Sequence, residues 1–400
     1  MQRLDSLLGS PLTSYQQLIY PSLMMIHYSP DRLQAITGWQ YMSILSCTSD
    51  GMQENNAESL SRTLKSLTQL EQLNIEVDYE SPALWEALYG LHIKRLGLCI
   101  TRKDIPEDHV DSLSKTLKSL KDLDEIIIIT DEGRPALWDA LNGLNIKSLL
   151  LDGKENGLNK NHGKSLSESL TSLTQLKYLG ILMFHYNSRY LWDALYGMNI
   201  VSLSLMCVWD DFRLIGEKSL SETLKSLSHL EDLIIEENDV SSGLLKALNG
   251  INIKLLSLKG VDKGFSVNHV QSMSETLTSL THLYKICIAL SNEGPCLWES
   301  LYGLNIKSLI LRSERTVLTV KKVESFSASL KSLNQLDKIT IEMNTDSPGL
   351  WEALCGIHIK RLYLTGCSGG LEVNHAESMS QSLASFTQLE SLWIEVSIRL

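Results

Sequence analysis

The sequence predicts an α/β solenoid, with a concave parallel β-sheet inside and convex helices outside. Two observations carry that prediction. First, a glycine recurs at Gly38, Gly90, Gly143, Gly197, Gly250, Gly303 and Gly356, at intervals of 52, 53, 54, 53, 53 and 53 residues. Spacing that constant over a whole chain marks a repeat array. Second, within each interval the apolar pattern switches between a helical period and strict alternation, so each unit holds both helix and strand.

The unit from Ala57 to Thr101 shows the order of elements. Leu60, Leu64, Leu67 and Leu70 lie on one face of an amphipathic helix. Leu73, Ile75 and Val77 then alternate with Gln72, Asn74 and Glu76, which is a short half-buried strand. Ser81-Pro82 starts a second, shorter helix, since proline suits a first turn. Leu84, Trp85 and Leu88 form its apolar face, and Gly90 ends it where a left-handed residue is wanted. Ile93, Leu96 and Leu98 form a second strand. Each double unit is therefore helix, strand, helix, strand.

Equivalent strand positions are Leu73, Leu96, Ile126, Leu149, Leu179 and Leu203. Each half carries L-x-x-L-x-[LI], as in Leu70-x-x-Leu73-x-Ile75 and Ile93-x-x-Leu96-x-Leu98. This grammar resembles leucine-rich repeats of the helix-bearing type found in ribonuclease inhibitor and NOD-like receptors. The resemblance covers essentially the whole chain, in about 15 half-repeats grouped as double units of ~53 residues. One departure concerns the asparagine that usually follows the strand. It is present at Asn238 and Asn344, but Asp78, Asp131, Phe184, Ser291 or Ser397 takes its place elsewhere. An asparagine ladder is therefore incomplete.

Residues 1–400 read as one leucine-rich-repeat domain, with 1–50 as degenerate edge units and 51–400 as regular double repeats. Gln17 to Pro30 aligns without gaps on Gln69 to Pro82, which places Pro21 at the position of Leu73. Proline in a strand belongs at a sheet edge. At the other end, Glu390 to Leu400 stops just after a strand with no polar capping unit. Repeat arrays need caps, so self-association or continuation of the array is expected to cover that end.

Composition narrows the function classes. A net charge of −11 and a pI near 5.4 argue against nucleic acid as the main partner. Seven scattered cysteines do not form a disulfide framework and read as mostly buried thiols of a reducing compartment. No apolar run reaches membrane-span length, no secretory leader is visible, and no Asn-x-Ser/Thr sequon occurs. The expectation is a cytoplasmic chain with no membrane partner and no cofactor.

Three motifs invite chemistry and are better read as scaffold. Gly157-Leu-Asn-Lys-Asn-His-Gly-Lys-Ser165 imitates a phosphate loop, but it has five residues between its glycines where the loop needs four. It reads as a helix N-terminus. His109, His162, His269 and His375 recur at one repeat position. Equivalent positions lie two strands apart, roughly 10 Å, too far to share one metal ion. They read as flanking the helix start, where Asn55 and Asn374, each with a Glu three residues on, fit capping boxes. Trp85, Trp138, Trp192, Trp298 and Trp351 form a stripe interrupted by Leu245. At helical spacing beside leucines it reads as packing. No nucleophile, acid/base pair or metal set can be assembled, so the expected function is not enzymatic.

The inner strand faces remain. Core positions repeat from unit to unit while the residues between them vary, which is where a solenoid recognises a partner. Ile127, Ile129, Leu150, Tyr178, Leu182 and Met206 cluster on adjacent strands as the candidate protein-binding patch. The expected function is recognition of a protein or peptide ligand. The resemblance implies the sensing array of an intracellular NOD-like innate immune receptor. The alternative it implies is an enzyme inhibitor or scaffold of the ribonuclease-inhibitor type, with an acidic horseshoe holding a basic partner.

Overall fold

The computed structural model describes residues 26–27, 43–47, 54–77, 82–100, 107–132, 135–156, 160–183, 189–207, 217–239, 242–264, 270–290, 297–313, 320–343, 348–367 and 376–396. They build one sheet of 15 parallel strands whose spatial order is the chain order. The strands are β1 (Ile26–His27), β2 (Ser43–Cys47), β3 (Gln72–Val77), β4 (Arg95–Ile100), β5 (Glu125–Glu132), β6 (Ser148–Asn156), β7 (Tyr178–Met183) and β8 (Ser202–Cys207). They continue as β9 (Asp232–Asp239), β10 (Leu255–Gly264), β11 (Lys285–Leu290), β12 (Ser308–Ser313), β13 (Lys338–Met343), β14 (Arg361–Cys367) and β15 (Ser391–Val396).

From β2 onward one helix joins each strand to the next, as parallel pairing requires a crossover. Long helices such as Glu107–Ser119 alternate with short ones such as Pro82–Leu88. The strand positions inferred from the repeat share one register: Leu73, Leu96, Ile126, Leu149, Leu179 and Leu203 lie side by side. These residues and the Ile/Leu two positions on are buried against the helices. Leucines of the long helices, such as Leu113 and Leu117, and Leu120 just past the helix end close the same continuous core.

β1 pairs with β2 through Ile26 opposite Leu45, and Leu45 stands opposite Ile75. A gap-free alignment with the next unit would put Leu23 there instead. The first strand is therefore displaced along the chain relative to that alignment, and Pro21 itself lies outside the described residues.

What ties one crossover to the next is a polar relay. Thr116 is buried in the helix Glu107–Ser119, and its hydroxyl donates to the Trp85 carbonyl across 2.9 Å. That carbonyl belongs to the last turn of Pro82–Leu88, where a helix leaves four acceptors unpaired. Ser119 completes the relay. Its hydroxyl donates to the Thr116 carbonyl at 2.6 Å and accepts the Gly90 N–H at 2.9 Å. Gly90 has φ of 73°, and nothing lies within 4 Å of where a Cβ would stand. Backbone conformation, not space, therefore demands glycine here. The same pair of links recurs with Ser169 on Trp138 and Ser172 on Gly143, Thr223 on Trp192 and Ser226 on Gly197, and Thr276 on Leu245 and Ser279 on Gly250. Ser329 with Ser332 and Ser382 with Ser385 continue it.

The tryptophan stripe belongs to this core. Trp85, Trp192, Trp298 and Trp351 are at most 1 % exposed and Trp138 is 3 % exposed. Trp298 meets Phe326 with ring centroids 4.2 Å apart. The indole N–H groups of Trp85, Trp138 and Trp298 have no protein acceptor among the described residues, so these rings contribute apolar bulk rather than a polar anchor.

Two measurements check this account. Thr116→Val strips a buried carbonyl of its donor and is expected to cost about 1–3 kcal/mol, whereas Ser119→Ala, at a solvent-accessible link, costs less than about 1 kcal/mol in urea unfolding. An equal loss in both would refute the buried link as the stronger one. Trp85→Phe is expected to be mild, and Trp85→Ala to cost about 3–5 kcal/mol. Equal losses would mean that the indole N–H matters.

Candidate functional site

The side of the sheet facing away from the helices presents three rows of residues, set by strand register. The first row from β3 to β15 is Gln72, Arg95, Glu125, Ser148, Tyr178, Ser202, Asp232, Leu255, Lys285, Ser308, Lys338, Arg361, Ser391. The second begins at Asn74 and passes Ile127, Leu150, Gly180, Ser204 and Ile234 before Cys287, Tyr363 and Trp393. The third holds Ile129, Asp152, Leu182, Met206 and Glu236 in sequence, and Arg312 beside Glu342 further on.

All six residues of the apolar cluster fall on consecutive strands β5 to β8. Ile127 stands opposite Leu150, while Leu182 stands opposite Met206. Ile127, Ile129, Leu150 and Tyr178 are half-buried, and Leu182 is only 9 % exposed. The Met206 side chain lies outside the described residues. Leu150 leans over the next strand: a Cβ on Gly180 would come 2.5 Å from Leu150 Cδ1. Glycine at this point lets one leucine cover two strands.

The inner face is less open than alternation alone implies. Ser204, Thr340, Cys287 and Ile310 are buried on it, beside Leu182. On a concave sheet the strands stay about 4.8 Å apart while side chains converge above them, so neighbours shade one another. Asp152, also buried, places a carboxylate between Ile129 and Leu182 in the otherwise apolar zone.

Charge is distributed unevenly along the same face. Glu125 is held above the ordinary carboxylate range by burial, with Arg95 opposing. Burial, reinforced by Glu231, likewise raises Asp232. Beyond β10 the sign changes. Arg312 Nε lies 2.6 Å from Glu342 Oε2 and so is neutralised. Lys285 and Lys338 are both pushed below the usual lysine range by burial, Lys338 further by Lys285 and Arg361. Lys338 Nζ stands 4.5 Å from the Tyr363 ring centroid. In the sequence these basic residues occupy variable strand positions between the repeating core leucines and isoleucines. Tabulating one strand position down the repeats would have found them.

The other motifs fall into the scaffold. The helix Lys160–Ser172 already contains Gly163, Lys164 and Ser165. Lys164 pairs with Glu168 at 3.8 Å, and the Ser165 hydroxyl donates to Asp139 at 2.7 Å. These residues line a helix surface and form no phosphate cradle. Asn55 lies inside the helix Glu54–Ser66, not at its cap. Asn374, His269 and His375 lie outside the described residues, as do the side chains of His109 and His162 and those of the asparagine-ladder slot. No group of metal-ligating side chains occurs among the described residues. Of the three cysteines whose side chains are described, only Cys287 is buried, with burial raising its thiol pKa; Cys99 and Cys355 are half-exposed. This corrects the expectation of mostly buried thiols among the residues described.

No protein-family model matches the chain, and no curated protein matches it. Among solved structures it is similar to the leucine-rich repeat-containing protein LegL7 from Legionella pneumophila. That likeness has a TM-score of 0.43 and 12 % identity, over 75 % of this chain and 91 % of that one. It is similar to a structure of a TLR13–ssRNA13 complex at a TM-score of 0.44 and 16 % identity, over 83 % of this chain and 46 % of that one. A protein from Bacteroides fragilis gives 0.31 and 11 %, over 87 % and 77 %. At such scores these likenesses carry no argument about residues or ligands, and the fold rests on the chain's own geometry. A 15-stranded parallel sheet in chain order, a helix at each crossover from β2 onward and a recurring Leu/Ile grammar make the chain a leucine-rich-repeat solenoid.

Proposed function

We propose that the chain is a non-catalytic recognition array that binds a protein or peptide segment through the inner face of β5 to β8. The observation that carries this is the contrast between faces. Leu and Ile recur at the two helix-facing strand positions equivalent to Leu73 and Ile75, while Ile127, Ile129, Leu150, Tyr178 and Leu182 put an apolar zone on the face turned away from the helices. Apolar residues on that face add nothing to the helix-side core, and a contiguous apolar zone of this kind suits a partner's side chains.

The finer reading is the sensing array of an intracellular, cytoplasmic innate immune receptor. Its support is the resemblance of the repeat grammar to the helix-bearing arrays of NOD-like receptors. No helix among the described residues is long and apolar enough to cross a membrane. The alternative of an inhibitor or scaffold with a basic partner draws on the net charge of −11. Salt separates the two: docking on the apolar zone resists added salt, and an acidic face on a basic protein does not.

The test is selection from a displayed random peptide library against the whole chain. Recovered peptides are expected to lose roughly 30-fold or more in affinity on Ile127→Asp with Ile129→Asp, an effect of about 2 kcal/mol expected at an interface centre. Circular dichroism should stay native, because both positions are only half-buried. Leu182 is a poor choice here, since a carboxylate at so buried a position endangers the fold. Undiminished affinity in the double variant would sink the reading.

A further inference from the structure

The C-terminal third of the inner face carries a second zone of different chemistry. Lys285, Ser308, Lys338 and Arg361 follow one another in a single row across β11 to β14. The chain is acidic overall, with a net charge of −11, so three cations in four consecutive row positions invert its average sign. Several basic side chains beside other strands are matched. Lys94 pairs with Glu71 at 2.6 Å, Lys147 with Asp124 at 2.8 Å and Lys254 with Glu231 at 2.6 Å. Arg312 closes on Glu342. Lys285, Lys338 and Arg361 close no ion pair among the described residues. The groups that face them are Asp232, Glu342, Arg312 and Cys287, and these leave the row net positive.

The surroundings hold the row in place. Tyr363 lies beneath Lys338 at 4.5 Å, and Trp393 stands beside Tyr363 in register with half its surface exposed. Ser308 is buried between Lys285 and Lys338. Burial depresses both lysines, so keeping them charged costs the fold stability. Cations kept at such a cost, with no ion-pair partner among the described residues, await an external anion.

We infer that this row receives the carboxylates of the same protein segment whose apolar residues occupy β5 to β8. This rests on the reading of the inner face as a recognition surface and adds the partner's chemistry. β8 and β11 are three strand spacings apart, roughly 14 Å. An extended segment crosses that gap in about four residues. The partner is therefore a segment with an apolar cluster and an acidic cluster separated by about four residues. A phosphodiester strand is a poorer occupant. It would carry its charge across Glu125, Asp152, Asp232 and Glu236, all on the same face, and would set charge on the apolar zone.

The same library selection, run on the whole chain and on a Lys285→Gln/Lys338→Gln/Arg361→Gln variant, tests this. Peptides recovered on the native chain are expected to be enriched in Asp and Glu on one side of an apolar cluster. The variant is expected to lose that acidic enrichment while keeping the apolar one. It should bind the best native-selected peptide roughly tenfold or more weakly, with a weaker salt dependence. Its thermal midpoint should not fall, since it removes poorly solvated charges. Apolar enrichment without acidic enrichment overturns this inference and leaves the proposed function standing. Acidic enrichment without apolar enrichment overturns the proposed function, and with it the two-part segment. A fluorescent oligo-dT that binds the native chain more tightly than the best peptide, and loses binding in the variant, overturns the choice of a protein segment.

Discussion

The structure depends on how one short helix is fastened to the next long one. A short crossover such as Pro82–Leu88 has under two turns and ends with carbonyls that no further turn can satisfy. Thr116 reaches back to one of them, and Ser119 takes the N–H of the glycine that terminates the helix. Both hydroxyls come from the following unit. The link therefore sets the offset between consecutive crossovers, and that offset sets the strand register. Each strand start repeats the lock in backbone form: the Glu71 carbonyl accepts from Lys94 and Arg95 together, and the Lys94 carbonyl from Asp124 and Glu125. Since every unit touches only its neighbours, such links must recur at each step or the array loses its continuity there. They do, from Gly90 to Gly356.

That constraint explains why so much of the sequence repeats. The stretch Pro82–Gly90 contains the tryptophan that fills the core, the carbonyl that receives the hydroxyl and the glycine that turns the chain. Change is permitted where the side chain stays apolar and the hydroxyl donor is kept. Leu245 replaces tryptophan and Ser169 replaces threonine without breaking the relay, and Phe326 fills space against Trp298 where other long helices carry leucine or methionine. Outside these points selection is free to act, and the inner face carries most of the variety.

Most of the scaffold was legible in the sequence because burial imposes period. Leu73, Leu96 and their counterparts stand at equal register, and the switch between helical and alternating spacing located helix and strand alike. The relay was not legible, because Thr116 and Ser119 look like ordinary polar positions until the helix that supplies their partners is in place. The shading of the inner face escaped for a related reason. Alternation tells which side a residue faces but not how far neighbouring side chains converge above it, so Leu182 and Cys287 are buried where an open surface was expected. Helix starts were the least legible feature, as Asn55 and the Gly163-Lys164-Ser165 run show, since local polar residues fit a cap and a first turn equally well.

Net charge is a poor guide to a surface built this way. In a solenoid each row samples one position from every unit, so charge can be segregated along the row without altering the total. The outer ion pairs alternate acid and lysine and largely cancel. They are exposed, and solvent screening keeps their contribution small. The inner row segregates its charge instead: acidic Glu125 and Asp232 lie before β10, and Lys285, Lys338 and Arg361 lie after it. An acidic chain thus presents an apolar zone and a basic zone on one continuous face. A uniformly basic partner would meet repulsion at one end and lose solvation at the other. A segment of mixed character, apolar then acidic, meets neither, and the direction in which it lies along the sheet follows from the order of the strands.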